Sequence, residues 1–126
     1  MLADHADGDR VATLGPVATA AQLLAAQDAA RGTHASPALR DYIVSLLWQT
    51  REDPRVELGA SPRSGLMLLR AAKALAMLNG RDHALPDDVQ ALAQPVLAHR
   101  LVLAPETPLS AARDVILDAV SAIRAL

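Results

Sequence analysis

Apolar residues recur every three or four positions along much of the chain, which is the spacing of one face of an α-helix. The clearest stretch follows Ser36 and ends before Pro54, with apolar positions at Leu39, Tyr42, Ile43, Leu46 and Leu47. Similar stripes lie in residues 62–78, 86–93 and 110–123, and an Ala- and Leu-rich stretch covers residues 20–31. The pattern predicts an all-α fold, a small bundle of about five helices around one core.

Polar residues and prolines mark the expected beginnings of these helices. Thr19 and Gln22 have the spacing of a capping box, in which each side chain binds the backbone N–H of the other residue. Ser36 and Ser61 each precede a proline, which predicts a hydroxyl cap followed by proline in the first helical position. Pro86 opens the next helix, whose first turn carries two aspartates that suit the helix dipole.

The last third of the chain contains more helix-breaking residues. Pro95 is expected to interrupt the helix that begins at Pro86 and to restart the chain as a short helical segment, followed by an extended stretch at residues 101–103. Residues 104–108 carry two prolines and form a predicted linker. Ser110 then opens the last helix, which we expect to pack on the bundle because an exposed apolar stripe of that size would be sticky.

Composition and charge support this fold class. Hydrophobic residues make up 52% of the 126 residues, with one Trp, one Tyr and no Phe, and Ala, Leu and Val dominate. Such a composition favours helices over a β-sandwich. The formal net charge of −2 argues against nucleic-acid binding through a broad basic field. The chain contains no cysteine, which excludes disulfides and thiolate metal sites.

The sequence gives no sign of a membrane span or a signal peptide. No apolar run approaches the roughly 20 residues that a membrane helix needs. Residues 1–16 are acidic and contain Gly and Pro, which predicts a poorly ordered lead-in and suggests an excised fragment of a longer protein. We therefore expect a cytoplasmic protein.

No complete catalytic motif is present. The sequence contains no G-x-x-x-x-G-K-[ST] P-loop, no G-x-S-x-G elbow and no H-E-x-x-H. The histidines at positions 5, 34, 83 and 99 have spacings that fit no metal site, so we expect no bound metal. Asp87 and Asp88 point about 100° apart on a helix, which makes a catalytic carboxylate pair a poor interpretation.

The segment Gly59-Ala60-Ser61-Pro62-Arg63 is the strongest candidate for a binding function. Arg63 falls in the first turn of a predicted helix, beside backbone N–H groups that have no partner within the helix. A helix start with a guanidinium group at its edge is suited to phosphate. A cation there also opposes the helix dipole, at a cost of about 0.5 kcal/mol until an anion binds. The residues alone leave open that Arg63 is a solvated surface arginine, and Arg70 and Lys73 add modest support for a basic face.

Five runs of residues together resemble the lid domain of MoxR-type AAA+ ATPases. They are L-G-A-S-P-R at 58–63, L-L-R-A-A-K-A-L at 68–75, N-G-R-D at 79–82, L-P-D-D-V at 85–89 and P-V-L-A-H-R-L at 95–101. The resemblance covers most of residues 17–104 and weakens after Pro105. It implies that residues 1–31 are the end of an AAA+ core and its connection to the lid. Residues 32–104 would form the helical lid, and residues 105–126 a linker and a C-terminal helix packing on it.

The resemblance also implies roles for particular residues. Arg63 would be the catalytic sensor 2 arginine, which reaches the terminal phosphates of ATP bound with Mg²⁺, and Ser61 and Pro62 would border the nucleotide. The Walker A lysine, the Walker B acids and sensor 1 would belong to the core, so the isolated domain would bind no cofactor and have no activity. Leu85 departs from the family's Thr-Pro-[Glu/Asp]-Asp helix start and cannot cap, so slight fraying is expected.

The implied partners are the AAA+ core of the same chain, neighbouring subunits in a ring, and client proteins of a chaperone-like ATPase. Two other functions stay open at this point. A stand-alone helical adaptor would bind a partner through an apolar groove. A helix-turn-helix would use residues 86–93 as its recognition helix, although their two aspartates and lack of arginine suit DNA poorly.

Overall fold

The computed structural model describes residues 14–123, which form five α-helices and a two-stranded ribbon. In chain order the elements are α1 (Ala20–Gly32), α2 (Pro37–Glu52), β1 (Val56–Leu58), α3 (Pro62–Leu78), α4 (Pro86–Leu97), a 3₁₀ turn (Ala98–Arg100), β2 (Val102–Leu103) and α5 (Ala111–Ala122). The predicted all-α bundle is therefore confirmed. Most of the predicted lead-in and the histidine at position 5 lie outside the described residues.

The core lies between α2, α3, α4 and α5. The large side chains that are fully buried in it come from all four helices: Leu39, Leu46, Leu68, Val89, Leu97, Val115 and Ile116. The apolar faces predicted from helical spacing are thus the buried faces. The helix α5 packs against α2 and α4, as expected for a helix that closes the bundle.

The first helix, α1, does not share this core. It contributes no buried residue, and Leu23 and Leu24 are 59% and 60% exposed. It lies along the outside of the bundle, in contact with α3. The expectation that all five helices surround one core is therefore wrong for α1, since four helices enclose the core.

Three of the helix starts carry the predicted caps. The Thr19 hydroxyl accepts from the Gln22 N–H at 3.2 Å, and the Gln22 side chain accepts from the Thr19 N–H at 2.8 Å. The Ser36 hydroxyl accepts from the Leu39 N–H at 3.1 Å, and Ser61 caps α3 in the same way. At α5 the Ser110 hydroxyl makes no capping hydrogen bond, and the helix begins at the following alanine.

The helix α4 begins at Pro86 as predicted, and it differs from prediction at its other end. At its start Leu85 provides no side-chain cap, and the Asp88 carboxylate accepts from the Leu85 N–H at 2.8 Å, which is the reciprocal half of a capping box. The slight fraying expected at this start stays a prediction. Pro95 does not break the helix, which continues to Leu97. Because Pro95 and Ala91 are exposed, water can satisfy the Ala91 carbonyl that loses its helical partner.

The ribbon pairs β1 and β2 in antiparallel fashion, with Val56 opposite Leu103 and Leu58 opposite Val102. The extended stretch predicted at residues 101–103 corresponds to β2, whereas the sequence pattern predicts no strand at the position of β1. Arg55 fastens the start of β1, since its guanidinium binds Asp53 at 2.6 Å and Asp118 of α5 at 2.7 Å. No helix in the described part of the chain is both long and apolar enough to cross a membrane.

Candidate functional site

The three residues predicted to form a site lie consecutively at the start of α3. Ser61 is its N-terminal cap, Pro62 its first helical residue and Arg63 the next. The Ser61 hydroxyl accepts from the Ser64 N–H at 3.2 Å and lies 3.0 Å from the Ser64 hydroxyl. All three predicted residues are exposed, while Ser64 and Gly65 behind them are buried against the bundle.

Part of the backbone hydrogen-bonding capacity at this helix start is already used. Pro62 has no N–H, the Ser64 N–H donates to the Ser61 hydroxyl, and the Gly65 N–H donates to the Ser61 carbonyl at 3.2 Å. Within residues 14–123, the amides of Ser61 and Arg63 make no hydrogen bond. A ligand at this position would therefore meet two free amides and the Arg63 guanidinium.

The Arg63 side chain has no structural partner among the described residues. It is exposed, and no hydrogen bond or ion pair joins it to another residue in the range 14–123. Its positive charge sits in the first turn of a seventeen-residue helix, where the dipole favours anions. The arrangement becomes favourable once an anion binds between the guanidinium and the helix end.

Two residues near the end of α2, Thr50 and Arg51, hold the segment that leads into this site. The Ala60 N–H donates to the Thr50 hydroxyl at 3.0 Å, and the Thr50 hydroxyl donates to the Leu47 carbonyl at 2.7 Å. The Arg51 guanidinium donates twice to the Ala60 carbonyl, at 3.2 and 3.0 Å. Sequence reasoning missed both residues, because neither forms a motif by itself and their partner lies about ten positions later.

Gly59 also belongs to this contact. A Cβ atom at Gly59 would lie 2.5 Å from Arg51 Cγ and 2.9 Å from the Arg51 Cα and N atoms. The loop can therefore approach the α2 backbone only because residue 59 has no side chain. The Arg51 guanidinium also stacks over the Trp48 ring, 5.2 Å from its centroid.

The other basic residues proposed for this face, Arg70 and Lys73, border the first helix. Arg70 and Lys73 line a groove of about 660 Å³ between α1 and α3, together with Arg31, and the lining of that groove does not include Arg63. The Lys73 ammonium donates to the Arg31 carbonyl. Arg70 and Lys73 therefore line a groove of their own beside α1.

Asp87, Asp88 and the described histidines form no arrangement that suggests catalysis. Asp87 is exposed, whereas Asp88 is buried and its carboxylate binds the Arg81 guanidinium at 2.5 and 2.8 Å. This guanidinium lowers the pKa of the Asp88 carboxyl. His34 and His83 are neighbours through a backbone bridge. No group of three or more metal-binding side chains occurs in residues 14–123.

Comparison with known protein families shows the class of this domain. The sequence model of the AAA lid domain family matches residues 49–119, more than half of the chain. The match spans the end of α2, the segment leading to Arg63, and the helices α3, α4 and most of α5. The chain belongs to the AAA lid domain family.

Individual relatives narrow the class to the MoxR type. The chain is 40% identical over 96 residues to the uncharacterized protein YeaC of Bacillus subtilis, matching 76% of this chain and 30% of that protein. It is 44% identical over 87 residues to protein MoxR of Paracoccus denitrificans, matching 59% of this chain and 26% of the relative. Chaperone MoxR1 of Mycobacterium tuberculosis is 39% identical over 90 residues, matching 64% of this chain and 24% of that protein. The chain thus spans less than a third of the length of these relatives.

A solved structure has the same fold. The crystal structure of a proposed ATPase from Cytophaga hutchinsonii superposes with a TM-score of 0.72 at 28% sequence identity. The superposition covers 79% of this chain and 33% of that protein. A helical lid of this type therefore occurs as the smaller part of a longer chain.

Proposed function

We propose that this domain is the lid of a MoxR-type AAA+ ATPase and that Arg63 is its sensor 2 residue. The proposal rests on a difference among residues 59–63: the first four have a structural role in the described part of the domain, and Arg63 has none there. Gly59 permits a close approach, both backbone groups of Ala60 are bound, Ser61 caps α3, and Pro62 fits the first helical position. Arg63 alone has no such role in the described structure, and it presents a cation where the helix dipole favours an anion.

In this function Arg63 donates charge-assisted hydrogen bonds to the terminal phosphate of ATP, bound with Mg²⁺ in a cleft between the AAA+ core and the lid. The guanidinium then stabilises the negative charge that develops during phosphoryl transfer. Ser61 and Pro62 border the nucleotide. The core of the same protein would supply the Walker A lysine, the Walker B acids and the magnesium ligands.

The same contact would link hydrolysis to motion. Arg63 lies on a helix that is packed into the bundle, so a force on its guanidinium acts on the whole lid. Loss of the terminal phosphate releases this contact, and the lid can then rotate against the core. Assembly into a ring, service to client proteins as a chaperone and a cytoplasmic location belong to the same proposal, and they rest on the family alone.

The test is the ATP turnover of the full-length protein that contains this domain. Arg63→Ala should lower turnover about 10-fold or more, as loss of one transition-state contact does. Its melting temperature should hardly change, because Arg63 is exposed. Arg113→Ala is the matched control, since Arg113 is an exposed arginine in the first turn of α5.

Turnover equal in Arg63→Ala and the unsubstituted protein would refute the sensor 2 role. That result would favour the helical adaptor, whose function does not need Arg63. Salt-sensitive binding to duplex DNA would instead favour the helix-turn-helix alternative.

A further inference from the structure

The chain between α2 and α3 leaves the bundle at Asp53, forms β1, and returns to α2 at Ala60. At the point of return, both backbone groups of Ala60 are held by consecutive residues of α2, Thr50 and Arg51. Ala60 and Thr50 are fully buried, at 0% exposure. The returning segment is therefore fixed to α2 by three hydrogen bonds at a single residue.

The contact between residues 59–60 and α2 is tightly packed, so the segment cannot shift without breaking it. Gly59 lies against the Arg51 backbone so closely that even a methyl group would collide with it. The Thr50 hydroxyl is itself oriented, because it donates to the Leu47 carbonyl at 2.7 Å while accepting from Ala60. A shift of Ala60 by half an ångström would stretch the bonds at about 3.0 Å to the limit of a hydrogen bond.

From Ala60 to Arg63 the chain has no flexible link. Ser61 is fixed by its capping hydrogen bond, and the ring of Pro62 fixes its φ angle. The contacts of Ala60 therefore help to fix the Arg63 backbone relative to α2, together with the packing of Gly65 against Leu47. A guanidinium that must meet a phosphate to within a fraction of an ångström depends on this placement.

We infer that Thr50 and Arg51 are positioning residues for Arg63, acting through the backbone of Ala60. The inference rests on the proposed function of Arg63. The segment from Asp53 to Ala60 is also held by a second arginine, Arg55. Its guanidinium binds Asp53 and, on α5, Asp118. Arg55 makes no hydrogen bond with residues 59–63 and so provides the matched control.

The experiment is a double-mutant cycle on the full-length protein, with ATP turnover and melting temperature as readouts. Arg51→Ala should lower turnover about 10-fold in the presence of Arg63, the scale for misplacing a catalytic group. In the Arg63→Ala background, Arg51→Ala should cause no further loss, since its effect passes through Arg63. Arg55→Ala should keep turnover within about twofold of the unsubstituted protein, because Arg55 makes no hydrogen bond with residues 59–63.

A second pair of variants tests the hydroxyl without a change of charge. Thr50→Val keeps the shape of the side chain but removes the acceptor for the Ala60 N–H, and should lower turnover. Thr50→Ser keeps the hydroxyl and should restore turnover to nearly the original value. This pair decides the question even if Arg51→Ala does not fold.

The outcomes separate the two proposals. If Arg63→Ala leaves turnover unchanged, the sensor 2 role fails. If Arg63→Ala lowers turnover while Arg51→Ala and Thr50→Val do not, the sensor 2 role stands and the positioning role is overturned. An equal loss from Arg51→Ala in both backgrounds would also overturn it, because Arg51 would then act independently of Arg63.

Discussion

The fit of Gly59 against α2 makes Gly59→Ala the sharpest test of the structure itself. The added Cβ would lie 2.9 Å from the Arg51 Cα and N atoms, and ordinary contact begins at 3.4 Å. The two backbones must therefore separate by about half an ångström, since no rotation of the Arg51 side chain relieves a backbone collision. Overpacking of this kind costs roughly 1–3 kcal/mol.

The separation also weakens the hydrogen bonds next to it. The Ala60 N–H and carbonyl bonds, at 3.0 Å to Thr50 and to Arg51 Nη2, would lengthen toward 3.5 Å. Losing about one net hydrogen bond adds ~1 kcal/mol. We therefore expect Gly59→Ala to destabilise the domain by about 2–4 kcal/mol, which lowers the melting temperature by roughly 8–16 °C for a domain of this size.

Two other glycines provide graded controls in the same thermal unfolding assay, followed by circular dichroism. A Cβ at Gly32 would meet nothing within 4 Å, so Gly32→Ala should have the melting temperature of the unsubstituted protein or slightly above. A Cβ at Gly65 would lie 2.7 Å from Leu47 Cδ1, the end of a side chain that can move, so Gly65→Ala should fall between the other two. If Gly59→Ala unfolds at the same temperature as Gly32→Ala, the described contact between Gly59 and Arg51 is incorrect.

Three further changes probe the bundle. Leu46→Ala empties a fully buried position and should destabilise the domain by about 2–4 kcal/mol in urea titrations; an unchanged midpoint would contradict the described core. The pKa of Asp88 is lowered by Arg81, so its contribution is present above the unfolded value of about 3.9 and is lost as the pH falls through the folded value. Asp88→Asn removes this carboxyl, so the free energy of unfolding should fall less steeply as the pH decreases. A fall as steep as that of the unsubstituted protein would count against this ion pair. Pro95→Ala should raise the melting temperature by restoring the hydrogen bond to the Ala91 carbonyl, and an unchanged or lower melting temperature would contradict the continuous helix.

Features that depend on neighbouring residues were predictable from the sequence. The caps at Thr19, Ser36 and Ser61 each need a hydroxyl and an amide three positions later, and both partners are visible in the sequence. The buried faces of α2 and α3 followed for the same reason, because helical periodicity is local. The predicted domain boundaries at residues 31/32 and 104/105 stay predictions.

Features that depend on packing were not predictable in the same way. Pro95 lowers helix propensity, but Val89, Ala93 and Leu97 lie on one buried face that continues past it, and burial of this face outweighs one lost hydrogen bond. The prediction for Leu85 considered only its own side chain, whereas the Asp88 carboxylate, which Arg81 holds in place, accepts from the Leu85 N–H. The strand β1 was missed because three residues show no clear alternation and its partner is more than forty positions away.

The candidate site likewise contains one residue that could be proposed from the local sequence and two that could not. Its exposed member, Arg63, was proposed from the sequence because a guanidinium beside the free amides of a helix start suits phosphate, and the family resemblance strengthened that proposal. Its buried supports, Thr50 and Arg51, conflict with nothing in their local sequence and become visible only when the chain returns to them at Ala60. In the structure the Ser64 and Gly65 amides are occupied, so the proposed phosphate contact depends chiefly on the guanidinium. A guanidinium on a movable side chain is effective only if its backbone is fixed, and the positioning role that we propose for Thr50 and Arg51 follows from this requirement.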